Sequence, residues 1–348
     1  APLSGPLWSR SLRRTTYAVI SSTMTELLTI SGLGVRFRAL SSLAAMLKSV
    51  RDPWLDAVLD VSLSVGSGET VALVGESGSG KTTLGRSVMG LVRPQKGSIQ
   101  FEGTELCGLS EAAYKPVRRN IAMMFQDPVA SLSRRRSIKA QISEPFKVHG
   151  IPVDDDETAR LMELVGLNHS FKNRFPHELS GGQARRVGVA RALTLSPKLI
   201  IADEPTAGLD VSVQGEILNL MRDLQRQLGI SYLIVTHNLP VVRHISDRIA
   251  VMYLGRLLEQ GDTRSIFKSP AHPYTRVLLD AVPQPDPAKR RELASIEGEV
   301  PSLRDRPAGC EFHPRCKFRQ ERCLSESPES RPLADGRVVR CHFPLEAG

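Results

Sequence analysis

The stretch Val71-Ala72-Leu73-Val74-Gly75-Glu76-Ser77-Gly78-Ser79-Gly80-Lys81-Thr82-Thr83 decides how this 348-residue chain is read. An apolar run enters a glycine-rich turn and then a helical segment, and the turn fits the spacing G-x-x-x-x-G-K-[ST]. Gly75, Gly78 and Gly80 let the backbone curl until successive NH groups face one concavity. The following helix adds its unpaired NH groups and positive dipole end. Such a concavity, lined by Glu76, Ser77, Ser79 and Thr83 as well, suits a polyphosphate. Lys81 would reach the β- and γ-phosphates as a point charge, and the hydroxyl of Thr82 would ligate the Mg²⁺ that travels with a nucleotide.

Downstream, Lys198-Leu199-Ile200-Ile201-Ala202-Asp203-Glu204 is an apolar strand ending in two carboxylates. A buried parallel strand delivers its last residues to the sheet's carboxyl edge, where the phosphate loop also lies. Asp203 is placed to hold Mg²⁺ through water, and Glu204 to polarise the water that attacks a γ-phosphate. Ser231 to Thr236 forms another buried strand, with His237 at the same edge, able to hold Glu204 and that water in register. A third apolar run, Ile121 to Phe125, ends in Gln126-Asp127-Pro128, so Gln126 falls where the sheet meets a flexible segment.

Between these strands the pattern is mainly helical. In Leu179-Ser180-Gly181-Gly182-Gln183 the S-x-x-Q spacing predicts a capping box that opens a helix through Arg185 to Leu195. The two glycines clear side chains from that helix terminus, which makes it a second anion site. A turn at Leu209-Asp210 precedes a helix from about Val213 to Leu228, and a hairpin around Gly255 follows. Toward the start, Leu28, Ile30, Leu33, Val35 and Phe37 alternate as in a half-buried strand, and residues 40–50 carry a helical face. Phe37 and Trp54 are large rings shortly upstream of the loop, either of which could stack on an adenine or serve the core. Residues 1–23, Ser/Arg-rich and without acidic residues, read as a tail outside the fold.

Composition narrows the function classes. With 41% hydrophobic and 24% charged residues and no run of about 18 apolar residues, the chain reads as globular without a membrane span. The net charge of +9 raises nucleic acid as a partner, but the basic residues are scattered and aromatics are only 5%, which argues against it.

With these motifs in this order, residues 24–265 resemble an ABC-type ATPase: an α/β P-loop NTPase with a mixed sheet core and a helical subdomain at about 127–195. The resemblance makes Gly75 to Thr82 the Walker A, Gln126 the Q-loop residue that reaches Mg²⁺, and Leu179 to Gln183 the signature. Leu199 to Asp203 with Glu204 becomes the Walker B, Ala207 to Asp210 the D-loop and His237 the switch. It implies ATP and Mg²⁺, with two such domains closing head to tail so that one chain's Walker A meets the partner's Ser180, Gly181, Gly182 and Gln183.

More narrowly, Gln126-Asp127-Pro128, Glu144-Pro145, Asp210-Val211-Ser212-Val213-Gln214, His272-Pro273-Tyr274-Thr275 and Gly298-Glu299-Val300-Pro301 are similar to ATP-binding subunits of bacterial oligopeptide or dipeptide importers. That resemblance implies a peripheral place on the cytoplasmic face of the inner membrane. It also implies a second ATPase subunit, expected as a heterodimer sibling, two transmembrane permease subunits and, indirectly, an external solute-binding protein. Ser133-Arg134-Arg135-Arg136 departs from the Asn-Pro-Arg more usual there, near the surface facing the membrane partners. The rival reading, a soluble ABC ATPase acting on nucleic acid or ribosomes, would need coiled-coil insertions or a second ATPase domain, and neither is present.

Residues 266–348 form a C-terminal extension with Cys310, Cys316, Cys323 and Cys341, while Cys107 stands apart. A chain that meets cytosolic ATP argues against disulfides, so a metal centre is the better physical reading. The spacing matches no standard C-x2-C zinc pairing, though His313 and His342 offer nitrogen ligands, and four-cysteine sites also hold iron–sulfur clusters. In the importer subfamily this tail resembles the segment that ligates a [4Fe-4S] cluster in some members. Cluster, Zn²⁺ and no metal stay open, with a structural role expected for any centre.

Overall fold

The computed structural model describes residues 26–38, 54–282 and 298–346. The expected tail at 1–23 and the helical face at 40–50 lie outside the described residues.

Two sheets organise the chain. Strands β1 (Glu26–Arg38), β2 (Trp54–Gly66), β4 (Lys96–Phe101) and β5 (Thr104–Glu105) form an antiparallel sheet in the order β2-β1-β4-β5. The other eight strands are β3 (Thr70–Val74), β6 (Ile121–Met124), β7 (Leu199–Asp203), β8 (Ser231–Thr236), β9 (Arg248–Tyr253), β10 (Arg256–Asp262), β11 (Arg331–Pro332) and β12 (Val338–Val339). They lie in the order β11-β12-β10-β9-β3-β8-β7-β6. Pairing is parallel from β9 through β3, β8 and β7 to β6, and antiparallel from β9 outward.

The parallel strands read as unbroken apolar runs because both faces are covered. On β7, Leu199 and Ile201 pack toward the antiparallel sheet with Leu73, Leu233, Val235 and Met252. The alternate residues Ile200 and Ala202 pack toward the helices, beside Ile138, Met162, Val187 and Ile217. The helical stretch runs from Pro128–Ser131 to the helix Gly181–Leu193, in separate short pieces. At the other end of the same face, Ala72, Val74, Ile249, Val251 and Tyr253 pack on Tyr274, Cys310, Phe312 and Cys323.

Sequence spacing and structure differ at element ends. The helix after the phosphate loop is short, Lys81–Val88, and Gly90 turns back just past its end with φ +68°. Strand β7 stops at Asp203, and Glu204 adopts a left-handed φ of +50° instead of continuing it. The long helix opens at Val211 rather than Val213, since Asp210 caps it by accepting from Val213 N–H at 2.9 Å.

The cysteine-bearing extension is fastened to this sheet. Strand β12 pairs with β10, and the buried Glu259 of β10 accepts from Ala271 N–H at 2.8 Å, His272 N–H at 2.9 Å and Arg337 Nη1 at 3.2 Å. Burial raises the Glu259 carboxyl above its ordinary range, and the three donors work against that. Glu259→Ala would leave two buried amides without their acceptor and take one ion-pair partner from Arg337, which keeps Asp335 and the Ser269 carbonyl. We expect it to lower stability by about 3–5 kcal/mol, read as a shifted urea midpoint; a shift under about 1 kcal/mol would overturn this account of the docking.

Candidate nucleotide site

Five parallel strands end at one edge, and the residues singled out from sequence gather there. The phosphate loop leaves β3 and enters the helix at Lys81. Gly75 has φ +153° and Gly80 φ +103°, and a side chain on either would collide with backbone, at Met252 O and Ala57 O respectively. No other residue type fits those two positions. Lys81 Nζ donates to Gly75 O and Glu76 O, each at 2.8 Å, and to Ser79 Oγ at 3.2 Å. Burial holds its pKa below the usual lysine value, while Glu204, Asp203 and Glu76 work in the opposite direction.

Thr82 Oγ1 donates to Asp203 Oδ1 at 3.2 Å, so two of the three expected Mg²⁺ residues touch across adjacent elements. Burial, then the Glu204 charge, pushes the Asp203 carboxyl up, against the Thr82 hydrogen bond. The left-handed turn at Glu204 is held by its N–H donating to Val235 O at 2.7 Å. Its carboxylate then accepts from Thr236 Oγ1 at 3.1 Å and His237 N–H at 3.2 Å, with His237 Nδ1 at 2.6 Å. Three groups at the end of β8 thus aim one carboxylate, which is 12% exposed, beside a histidine ring that is 69% exposed.

Not every expected residue joins this group. Gln126 follows β6 with its side chain exposed, and its carbonyl accepts from Arg185 Nη1 at 3.2 Å. Ser180 and Gln183 cap each other reciprocally, at 3.0 and 3.3 Å, and among the described residues no hydrogen bond joins this turn to the phosphate loop. Gly182 instead backs onto Val213, next to the helix that Asp210 caps. Phe37 and Trp54 stand 40% and 46% exposed at neighbouring ends of β1 and β2.

Sequence reasoning missed Arg185, which is 4% exposed. Its guanidinium donates to Gln126 O, to Glu204 O at 3.3 Å and to Ala207 O, tying the loops after β6 and β7 to the helix Gly181–Leu193. The available signal was a cation on the apolar face of the signature helix, beside Ala184 and two residues before Val187.

Such a loop, carboxylate pair and capped second turn on this sheet define the ATP-binding cassette of an ABC transporter. The family model described as ABC transporter matches residues 58–207, and that described as the oligopeptide/dipeptide transporter C-terminal region matches residues 258–323. The chain is similar to the oligopeptide transport ATP-binding protein AppF of Bacillus subtilis, 46% identical over 293 residues, covering 82% of this chain and 89% of that protein. A probable peptide ABC transporter ATP-binding protein of Sinorhizobium fredii is 46% identical over 298 residues, covering 85% and 84%.

Among solved structures, the ATP-binding cassette MJ0796, a dimer bound to ADP and Pi, matches with TM-score 0.60 and 25% identity, covering 68% of this chain and 99% of that one. CbiO1 of Clostridium perfringens matches with TM-score 0.59 and 30% identity, covering 70% and 90%. The chain therefore belongs to the oligopeptide transport ATP-binding protein family and is an ABC-type ATPase subunit.

Arg185→Ala would release three carbonyls at once. We expect a loss of about 3 kcal/mol in stability together with a fall in ATPase turnover, since both Gln126 and Glu204 lose their backbone anchor. Unchanged turnover in a folded variant would show that these loops are positioned by other contacts.

Proposed function

We propose that this subunit hydrolyses ATP to drive di- or oligopeptide import, with each residue of the edge in a distinct role. What carries the reading is the convergence of Thr82 with Asp203 and of Glu204 with Thr236 and His237 at one sheet edge. The phosphate loop from Gly75 to Thr83 takes the triphosphate, and Lys81 neutralises charge on its outer phosphates. Thr82 and Asp203 are hard oxygen donors in mutual contact, a donor set that fits Mg²⁺, and Gln126, exposed just past β6, would be the third ligand. Bound there, the ion would supply charge neutralisation to the phosphates. Glu204 accepts the proton of the attacking water, and His237 holds that carboxylate in line.

Ser180 to Gln183 then serves another subunit's ATP. Its capped helix end points NH groups outward and is exposed at Ser180 and Gly181, and in MJ0796 the cassette is dimeric. Asp210 lies beside this turn, at the same junction. The second subunit is an identical or sibling ATPase, and two membrane-spanning permease subunits carry the solute delivered by an external binding protein. No described helix is long and apolar enough to cross a membrane; the peripheral place on the inner membrane rests on the likeness to transporter ATP-binding proteins. The peptide substrate rests on the relatives' names and on the C-terminal region match.

The tail is proposed to hold a [4Fe-4S] cluster as a structural tie. Cys310, Cys316, Cys323 and Cys341 line one small cavity with Phe312, Phe318 and Phe343. Among the described residues no three His, Cys, Asp or Glu side chains stand close enough for a single ion. Four cysteines around one cavity are a donor set that iron–sulfur clusters use, and the tail's resemblance to cluster-ligating segments is what favours the cluster over Zn²⁺, for which His313 and His342 at the same cavity would be nitrogen ligands.

Glu204→Gln should retain ATP, trap the closed dimer and lower turnover about 10²–10⁴-fold in the assembled transporter; undiminished turnover would sink the assignment of the base. Protein purified without oxygen should carry iron and broad visible absorption, both lost in Cys310→Ser/Cys316→Ser. Absence of both from the parent protein would remove the cluster.

A further inference from the structure

The turn His313–Arg315 lies between two of the tail cysteines, yet its last side chain reaches the nucleotide site. Arg315 Nη1 donates to Glu76 Oε2 at 2.7 Å and Nη2 to Glu76 Oε1 at 2.9 Å, a two-pronged ion pair whose partners are 5% and 22% exposed. A second residue of the extension holds the same loop position, because Glu76 N–H donates to Tyr274 OH at 3.0 Å. Both anchors are themselves packed. Tyr274 lies 4.7 Å from Tyr253 and 5.2 Å from Phe312 between ring centres, and the Arg315 guanidinium lies 5.9 Å from the Tyr253 ring centre.

Glu76 is thus fixed through its main chain and its side chain from outside the loop, while its carbonyl receives Lys81 Nζ. Two physical consequences follow. A loop with glycines at 75, 78 and 80 has many conformations to lose on binding, and an external anchor reduces that cost by preorganisation. A carboxylate on a phosphate-binding loop also repels the triphosphate unless an adjacent cation cancels it.

We propose that Arg315 is a positioning residue for ATP binding: the cysteine-bearing extension reaches into the phosphate loop, holds Glu76 in place and neutralises it. The idea rests on ATP binding at this loop. Because Arg315 lies within the Cys310–Cys316 segment, the folded state of the tail becomes a condition for full nucleotide affinity. A lysine could supply the charge but not the fork.

The test uses the assembled transporter, with ATPase rates measured against ATP concentration and equilibrium binding of a fluorescent ATP analogue. Arg315→Gln should raise KM and the analogue's Kd about tenfold while kcat stays within about twofold. Arg315→Lys should recover part of that loss. The double variant Glu76→Gln/Arg315→Gln should be no weaker than Arg315→Gln alone, because each residue acts through the other. Unchanged KM and Kd in Arg315→Gln would overturn the proposal, as would single effects that simply multiply. Should Arg315→Gln fail to assemble, Arg315→Lys decides in its place: a raised KM supports the fork and an unchanged one overturns it. If the parent transporter bound no analogue at all, the ATP reading itself would be what failed.

Discussion

The governing constraint is a parallel sheet that is apolar on both faces, so polar chemistry can emerge only where strands end. Ile200, Ile201 and Ala202 are completely buried, and so are Ala72 and Leu73. Along such strands no charge is tolerated without a partner. At the carboxyl edge the same strands turn into loops whose NH groups are unpaired, and there Lys81, Asp203, Glu204, Thr236 and His237 meet. The edge is partly desolvated, as the opposed shifts of Lys81 and Asp203 record: burial works against both charges. Partial desolvation strengthens what an incoming Mg²⁺-bearing triphosphate meets there, an anion for Lys81 and a cation for Asp203.

Much of this was legible in the chain because the informative signals are local. The phosphate loop, the S-x-x-Q cap at Ser180 and the acid-terminated run at Asp203 each depend on residues within a few positions of one another. The structure draws their ends differently, at Glu204 for instance, since a left-handed residue after a strand leaves no periodic trace. Contacts between residues distant in sequence stayed invisible. Arg185 bridges to Gln126, 59 positions away, and Arg315 bridges to Glu76 across 239. An arginine in a helix or a short turn looks like a solvated charge until the fold shows that it is buried.

The division into an ATPase portion and an extension was likewise a reading of motif order, which carries no information on packing. The extension's Tyr274, Phe312 and Cys310 share a core with β3 and β9, and its strand β12 extends the sheet beyond β10. The cysteine cavity therefore lies within two residues of side chains that touch the nucleotide strands. The segment that lines the cavity is continuous with the core.

That continuity explains the unusual dependence of the phosphate loop on remote anchors. The Met252 carbonyl stands against Gly75 and the Ala57 carbonyl against Gly80, so the loop ends are fixed by sheet backbone. Ser79 O accepts from Gly255 N–H at 2.9 Å, which fixes the middle to the β9–β10 hairpin. Glu76 is the one loop carboxylate between these fixed points, and its charge is of the wrong sign for the ligand. Its side chain has to be pulled aside by a cation that does not itself occupy the phosphate concavity. Arg315 reaches Glu76 from the extension and bonds both of its carboxylate oxygens, whereas a cation placed on the loop itself would compete with Lys81 for the phosphates. A loop carboxylate and a fastened extension are thus two halves of one arrangement, and losing either leaves the other's charge uncompensated.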